Sequence, residues 1–207
     1  MEIAKFKKKP FLGILRGINP GVIEPLLDSV ISSGLETIEV TMNTNRALEL
    51  IRRAVKISGG RLMVGAGTVL NMKSMHDALD AGATFIVMPV LVEDVVGYCA
   101  NNKIPVFPGA LTPQEIYNAW NAGATMVKVF PAKVFGPAYF KEVKAPLNDI
   151  KLLACGGVKP ENIKEYFDCG ADVVAFGASV FRKEWLEKKD FKSIEQSIKR
   201  LIQLSEK

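Results

Sequence analysis

A carboxylate and an amine stand at equivalent places in a repeated segment of this chain, where buried strands ordinarily hold apolar side chains. Counting five residues on from Gly34, Gly82, Gly123 and Gly170 gives Glu39, Val87, Lys128 and Ala175. Each glycine closes an amphipathic stretch, and each run after it reads as a short buried strand. Moving an ammonium from water into an apolar interior is costly, which favours the neutral amine, a nucleophile suited to imine formation with a carbonyl. A carboxylate in the same low-dielectric layer can be tuned to move protons at neighbouring carbons. The plainer alternative is an ion pair that fills the interior, and buried pairs of that kind are weak stabilisers. An acid and an amine sharing one inward layer favour catalysis, with Lys128 as nucleophile and Glu39 as proton carrier. Thr41 and Thr44 are candidates to orient Glu39.

The elements that must position this pair alternate from end to end. Candidate strands cover 11–16, 37–41, 62–66, 85–88, 104–107, 126–130, 151–155 and 173–176. Helical stretches cover 20–33, 45–56, 72–81, 92–102, 113–122, 137–144 and 160–169, with a last helix near 192–205. Pro20, Pro113 and Pro160 suit first helical turns, and Asn19 and Thr112 suit caps. Eight such units without a linker, in one domain spanning 1–207, predict a single (β/α)₈ barrel of the TIM type. A doubly wound open sheet would want a glycine-rich dinucleotide turn after its first strand, and Arg16-Gly17-Ile18-Asn19-Pro20 is not one.

In a barrel, alternate strands supply each interior layer. Glu39, Val87, Lys128 and Ala175 then face inward together, and Pro89, Phe130 and Gly177 mark the C-terminal rim. The odd strands bring Arg16, Thr68, Cys155 and the Gly156-Gly157 pair to that rim. Paired glycines before a helix offer free backbone N–H groups to an anion, and barrels bind phosphate at the loops after strands seven and eight. Gly156, Gly157, Gly177 and Ser179 are the candidate phosphate cradle, and Arg16 a candidate clamp for a substrate carboxylate.

Bulk properties narrow the classes. The chain has 207 residues, 48% hydrophobic and 24% charged, ordinary for one globular enzyme. Much of the net charge of +5 comes from Lys5, Lys7, Lys8, Lys9 and the last helix. With no aromatic interleaving or binding motif, no nucleic-acid partner is expected; a mildly positive field favours an anionic substrate. Cys99, Cys155 and Cys169 fit no metal or redox spacing, which suits a reducing cytoplasm. The basic start runs straight into a strand rather than a signal peptide, and no run is apolar enough to span a membrane. The single histidine, His76, reads as a surface residue without a ligand cluster, so neither a metal nor another cofactor is expected.

Taken together, Leu15-Arg16-Gly17, Ile38-Glu39-Val40-Thr41, Gly65-Ala66-Gly67-Thr68-Val69, Pro108-Gly109, Lys128-Val129-Phe130-Pro131-Ala132 and Gly156-Gly157-Val158 resemble the 2-keto-3-deoxy-6-phosphogluconate (KDPG) aldolase family. The resemblance covers essentially the whole chain in order. It implies a class I aldolase, typically a homotrimer, that cleaves a phosphorylated 2-keto-3-deoxy sugar acid to pyruvate and glyceraldehyde 3-phosphate. It also implies that Lys128 forms the Schiff base, that Glu39 is general acid/base, and that Thr68, Pro89 and Phe130 line the pyruvate pocket. The phosphogluconate branch typically has Arg where Asn43 stands and Thr where Cys155 stands. Arg16-Gly17, Met42-Asn43-Thr44 and Phe135-Gly136-Pro137 look closer to the 6-phosphogalactonate (KDPGal) branch, and 4-hydroxy-2-oxoglutarate is a further candidate substrate. Two rivals remain at this point: a sugar-phosphate isomerase or epimerase in which Lys128 is only electrostatic, and a non-catalytic barrel that binds a phosphorylated ligand.

Overall fold

The computed structural model describes Phe6 and residues 9–205; Lys5, Lys7 and Lys8 of the basic start lie outside the described residues. Parallel strands β1 (Phe11–Leu15), β2 (Thr37–Thr41), β3 (Met63–Gly67), β4 (Ile86–Val87), β5 (Val106–Phe107), β6 (Gly109–Ala110), β7 (Val127–Val129), β8 (Leu152–Cys155) and β9 (Val173–Phe176) form one sheet. Its order is β5-β4-β3-β2-β1-β9-β8-β7-β6, so the two ends are consecutive pieces of one strand. Pro108 splits that strand because it has no N–H for the ladder.

Backbone bonds on both sides of the break close the ring. Ile86 and Met88 donate to the carbonyls of Pro105 and Phe107 at 2.9 and 3.1 Å. Thr125 and Lys128 donate to Val106 and Pro108 at 3.0 and 2.8 Å. The molecule is thus a closed (β/α)₈ barrel whose fifth strand is counted twice. Gly109 is confined to glycine by a close approach, since an added Cβ would stand 2.1 Å from the Pro89 carbonyl oxygen.

The helices are α1 (Ile23–Ser32), α2 (Ala47–Ser58), α3 (Met72–Asp80), α4 (Glu93–Asn101), α5 (Pro113–Asn121), α6 (Ala138–Lys144), α7 (Ile163–Asp168), α8 (Lys183–Glu187) and α9 (Phe191–Ser205). Asn19 caps a 3-10 turn at Pro20–Val22, and Thr112 and Glu115 form a reciprocal capping box at the start of α5. Pro160 is a correction: α7 begins only at Ile163, so this proline sits in the preceding turn. The short α8 is absent from the sequence reading.

Strand parity divides the buried side chains into two cores. Phe11, Leu15, Ile38, Val40, Val64, Ala66, Val127, Val129 and Val174 face the helices. Leu12, Ile14, Phe85, Val87, Phe107, Met126, Leu153, Cys155, Val173 and Ala175 fill the barrel, with the Phe6 ring tilted against Phe107 at 5.8 Å between ring centres.

The repeated glycines set that parity. Gly34, Gly82, Gly123 and Gly170 all adopt left-handed φ between 84° and 104°, and each donates to the carbonyl three residues back. In three copies the next residue (Ala83, Ala124, Ala171) also reaches back five residues to a helix carbonyl. This Schellman-type ending launches each strand in one orientation. The fifth residue beyond the glycine consequently points into the barrel.

At the start of β9, Asp172 accepts from Lys144 Nζ at 2.6 Å, the Leu152 amide at 2.9 Å and Lys151 Nζ at 3.1 Å. Burial alone would raise this carboxyl, but these three donors outweigh it and hold it below its ordinary 3.8. Its stabilisation is therefore present above pH 3.8 and lost as pH falls through the lowered native value. Asp172→Asn should cost about 2 kcal/mol near neutrality, and melts compared across pH should show the difference shrinking in acid.

Candidate active site

Glu39 lies at the centre of β2, in register with Ile14 on one side and Gly65 on the other. Lys128 lies at the centre of β7 between Gly109 and Leu153. Their side chains are 0% and 4% exposed, in a shell otherwise closed by Val87, Ala175 and Cys155. Glu39 extends over Gly67: a Cβ added there would meet Oε1 at 2.4 Å, so the glycine provides the carboxylate's room. Both Glu39 oxygens lack a hydrogen-bond partner. Burial raises the Glu39 carboxyl above its ordinary value, opposed by the charges of Lys128 and then Arg16. Both cations therefore act on Glu39 electrostatically without bonding it. The Phe130 ring receives Lys128 Nζ at 5.3 Å from its centre, a cation–π contact.

Above this layer the C-terminal end of the barrel opens into a cavity of about 1310 Å³. Lys128, Phe130 and Cys155 form its inner wall, and Arg16, Gly156, Gly157, Gly177 and Ser179 its rim. The fold thus brings most of the candidate residues to one opening, while Glu39 is fully buried and does not itself line it. Thr68 and Pro89 stand just beyond β3 and β4, outside the cavity's lining. Thr68 takes φ of 58°, a left-handed value uncommon for a non-glycine residue. Burial pushes the Cys155 thiol up, against the pull of Lys128.

Thr41 and Thr44 serve another purpose than the one read from sequence. Neither bonds Glu39, whose oxygens are free; the two hydroxyls bond each other at 2.9 Å, and Thr44 Oγ1 accepts from the Gly17 amide at 3.0 Å. The pair ties the rim of β2 to the Arg16-Gly17 turn, where Gly17 has φ of 66°. Similarly, Ser179 donates to the Val158 carbonyl at 2.8 Å, fastening the loop after β9 to the loop after β8. In the loop after β8, Gly156 at φ 93° and Gly157 at φ 89° turn the chain at the cavity edge.

Sequence reasoning missed the lysines around the opening. Lys133, Lys159, Lys183 and Lys189 also line it, against one acid, Glu187. Scattered surface lysines give no sequence signal until the fold gathers them. His76, by contrast, is exposed on α3 with its ring edge-on to Tyr98.

A buried amine and acid beneath a cationic, glycine-edged opening suit imine chemistry on an anionic carbonyl compound. Residues 3–197 match the model of the KDPG and KHG aldolase family. The chain belongs to that family. As an aldolase it is a carbon–carbon lyase, and the isomerase and scaffold rivals are not favoured. It is 34% identical over 176 residues to the 2-dehydro-3-deoxy-6-phosphogalactonate aldolase of Escherichia coli K12, covering 84% of this chain and 86% of that one. It is 31% identical over 175 residues to the 2-dehydro-3-deoxy-phosphogluconate aldolase of Pseudomonas aeruginosa, covering 84% and 79%. A solved native KDPGal structure superposes with a TM-score of 0.89 at 30% identity, over 96% of this aldolase and 95% of that chain.

Proposed function

We propose that this aldolase works by the class I route on 2-keto-3-deoxy-6-phospho-galactonate or -gluconate, giving pyruvate and D-glyceraldehyde 3-phosphate. The Lys128 amine adds to the C2 ketone and loses water to form an iminium. Glu39 takes the C4 hydroxyl proton as the C3–C4 bond breaks, and the electron pair is held as an enamine. Glu39 returns the proton to C3, and hydrolysis of the imine releases pyruvate and regenerates the amine. Arg16 holds the substrate carboxylate, Cys155 and Phe130 flank the reacting carbons, and Gly156, Gly157, Gly177 and Ser179 take the phosphate. Thr68 and Pro89 complete the pyruvate end. 4-Hydroxy-2-oxoglutarate is a secondary substrate of the same layer.

The observation behind this reading is Lys128 in the wall of the cavity at the C-terminal end of the barrel, with Glu39, both oxygens unpartnered, buried in the same inward layer and drawn toward its charged form by the Lys128 charge. Similarity supports it from outside: a KDPG aldolase of Zymomonas mobilis ZM4, 25% identical with a TM-score of 0.86, was solved with 3-phosphoglycerate. A cytoplasmic homotrimer belongs to the same proposal, and sedimentation of the purified protein tests the oligomer. Borohydride added with pyruvate should leave a reduced covalent adduct on Lys128 and abolish turnover. An unlabelled Lys128 in a fully active enzyme would overturn the assignment.

A further inference from the structure

Lys133 stands five residues beyond Lys128, in the 3-10 turn Ala132–Val134 that follows β7. Its backbone amide donates to the Gly156 carbonyl at 3.0 Å. Its β-carbon fills the space beside Gly157, where an added Cβ would stand 2.5 Å from it. The root of this lysine is thus wedged against the glycine pair, and its side chain lines the same cavity while remaining exposed. Among the described residues it forms no salt bridge, whereas Lys183 on the same opening lies 3.6 Å from Glu187.

An exposed lysine is ordinarily a solvated surface group. This one differs because its stem is fixed over the loop that the proposed function gives to phosphate. Backbone amides can orient a phosphate dianion, but in a half-open site they leave its charge largely uncompensated. An ammonium on a short tether supplies that charge, with hydrogen bonds stronger than those of neutral donors. Arg16, just beyond β1, is already given to the carboxylate.

We propose that Lys133 contacts the substrate phosphate and sets the preference for phosphorylated over unphosphorylated 2-keto acids. The inference rests on the reading of Gly156, Gly157, Gly177 and Ser179 as the phosphate cradle.

The test compares Lys133→Gln, Lys133→Ala and Lys133→Arg with the parent enzyme. Each is assayed on the phosphorylated substrate, on its unphosphorylated analogue, and in proton exchange at the methyl group of pyruvate, which reads Lys128 and Glu39 without a phosphate. For Gln and Ala, KM for the phosphorylated substrate should rise about tenfold with kcat near the parent value. Its salt dependence should weaken, while the other two assays stay unchanged and Lys133→Arg recovers most of the loss. An unchanged preference, or an equal fall on both substrates, overturns the role of Lys133. A parent enzyme without preference for the phosphorylated substrate would instead overturn the phosphate cradle, and this inference with it.

Discussion

Replacing Lys128 with methionine should lower aldol cleavage by at least about 10⁴-fold, since the covalent nucleophile has no substitute in its layer. The remaining positions of the repeat are Val87 and Ala175, and the other lysines of the cavity are exposed, in loops and at the start of α8. Methionine matches the length of the lysine stem and suits a site only 4% exposed, so the barrel should still form. Removing the ammonium nevertheless leaves the Glu39 charge buried, with Arg16 at the rim as its remaining counter-charge. Losing this compensating charge destabilises the buried carboxylate unless it escapes by taking up a proton. Lys128→Met should therefore be least stable at high pH, and a second change, Glu39→Gln, should restore much of the loss. Steady-state rates and thermal melts of the single and double variants measure both effects. Activity above a few per cent of the parent in Lys128→Met would remove the covalent mechanism.

The catalytic layer was legible because one physical device repeats. A helix that ends on a left-handed glycine delivers the next strand in a fixed orientation, so a polar residue at the fifth position identifies its own direction. The first copy differs: Leu35 donates to the Ser33 hydroxyl at 3.4 Å instead of reaching back along the helix, yet Glu39 keeps the inward place. What sequence could not supply were contacts between loops far apart in the chain. Thr44 bonds Gly17 across 27 positions, and no local pattern distinguishes that from a bond to nearby Glu39. Gly67 likewise carries no local sign of its structural reason, the carboxylate lying across it. The split at Pro108 was hidden because each half pairs with a different neighbour.

Glu39→Gln should reduce cleavage by roughly 10²–10⁴-fold while borohydride still traps pyruvate on Lys128. The amide preserves shape over Gly67 but neither accepts the hydroxyl proton nor returns it. The same change should stabilise the fold, and the sign with pH follows from the raised carboxyl. Between the ordinary 4.5 and the raised native value, the folded protein keeps a proton that the unfolded chain has released. The native state then binds more protons, so parental stability falls as pH rises through that window. Below 4.5 both states are protonated and the parent and Glu39→Gln should melt alike. Above the native value the parent bears the full cost of a buried carboxylate without hydrogen-bond partners, and the gap in melting temperature should reach its plateau. A gap that is constant with pH would mean that Glu39 is not held in the environment described. A variant that loses activity without gaining stability would assign this carboxylate a structural pairing with Lys128 in place of proton transfer, because catalytic groups buried for function are the ones whose removal relieves the fold.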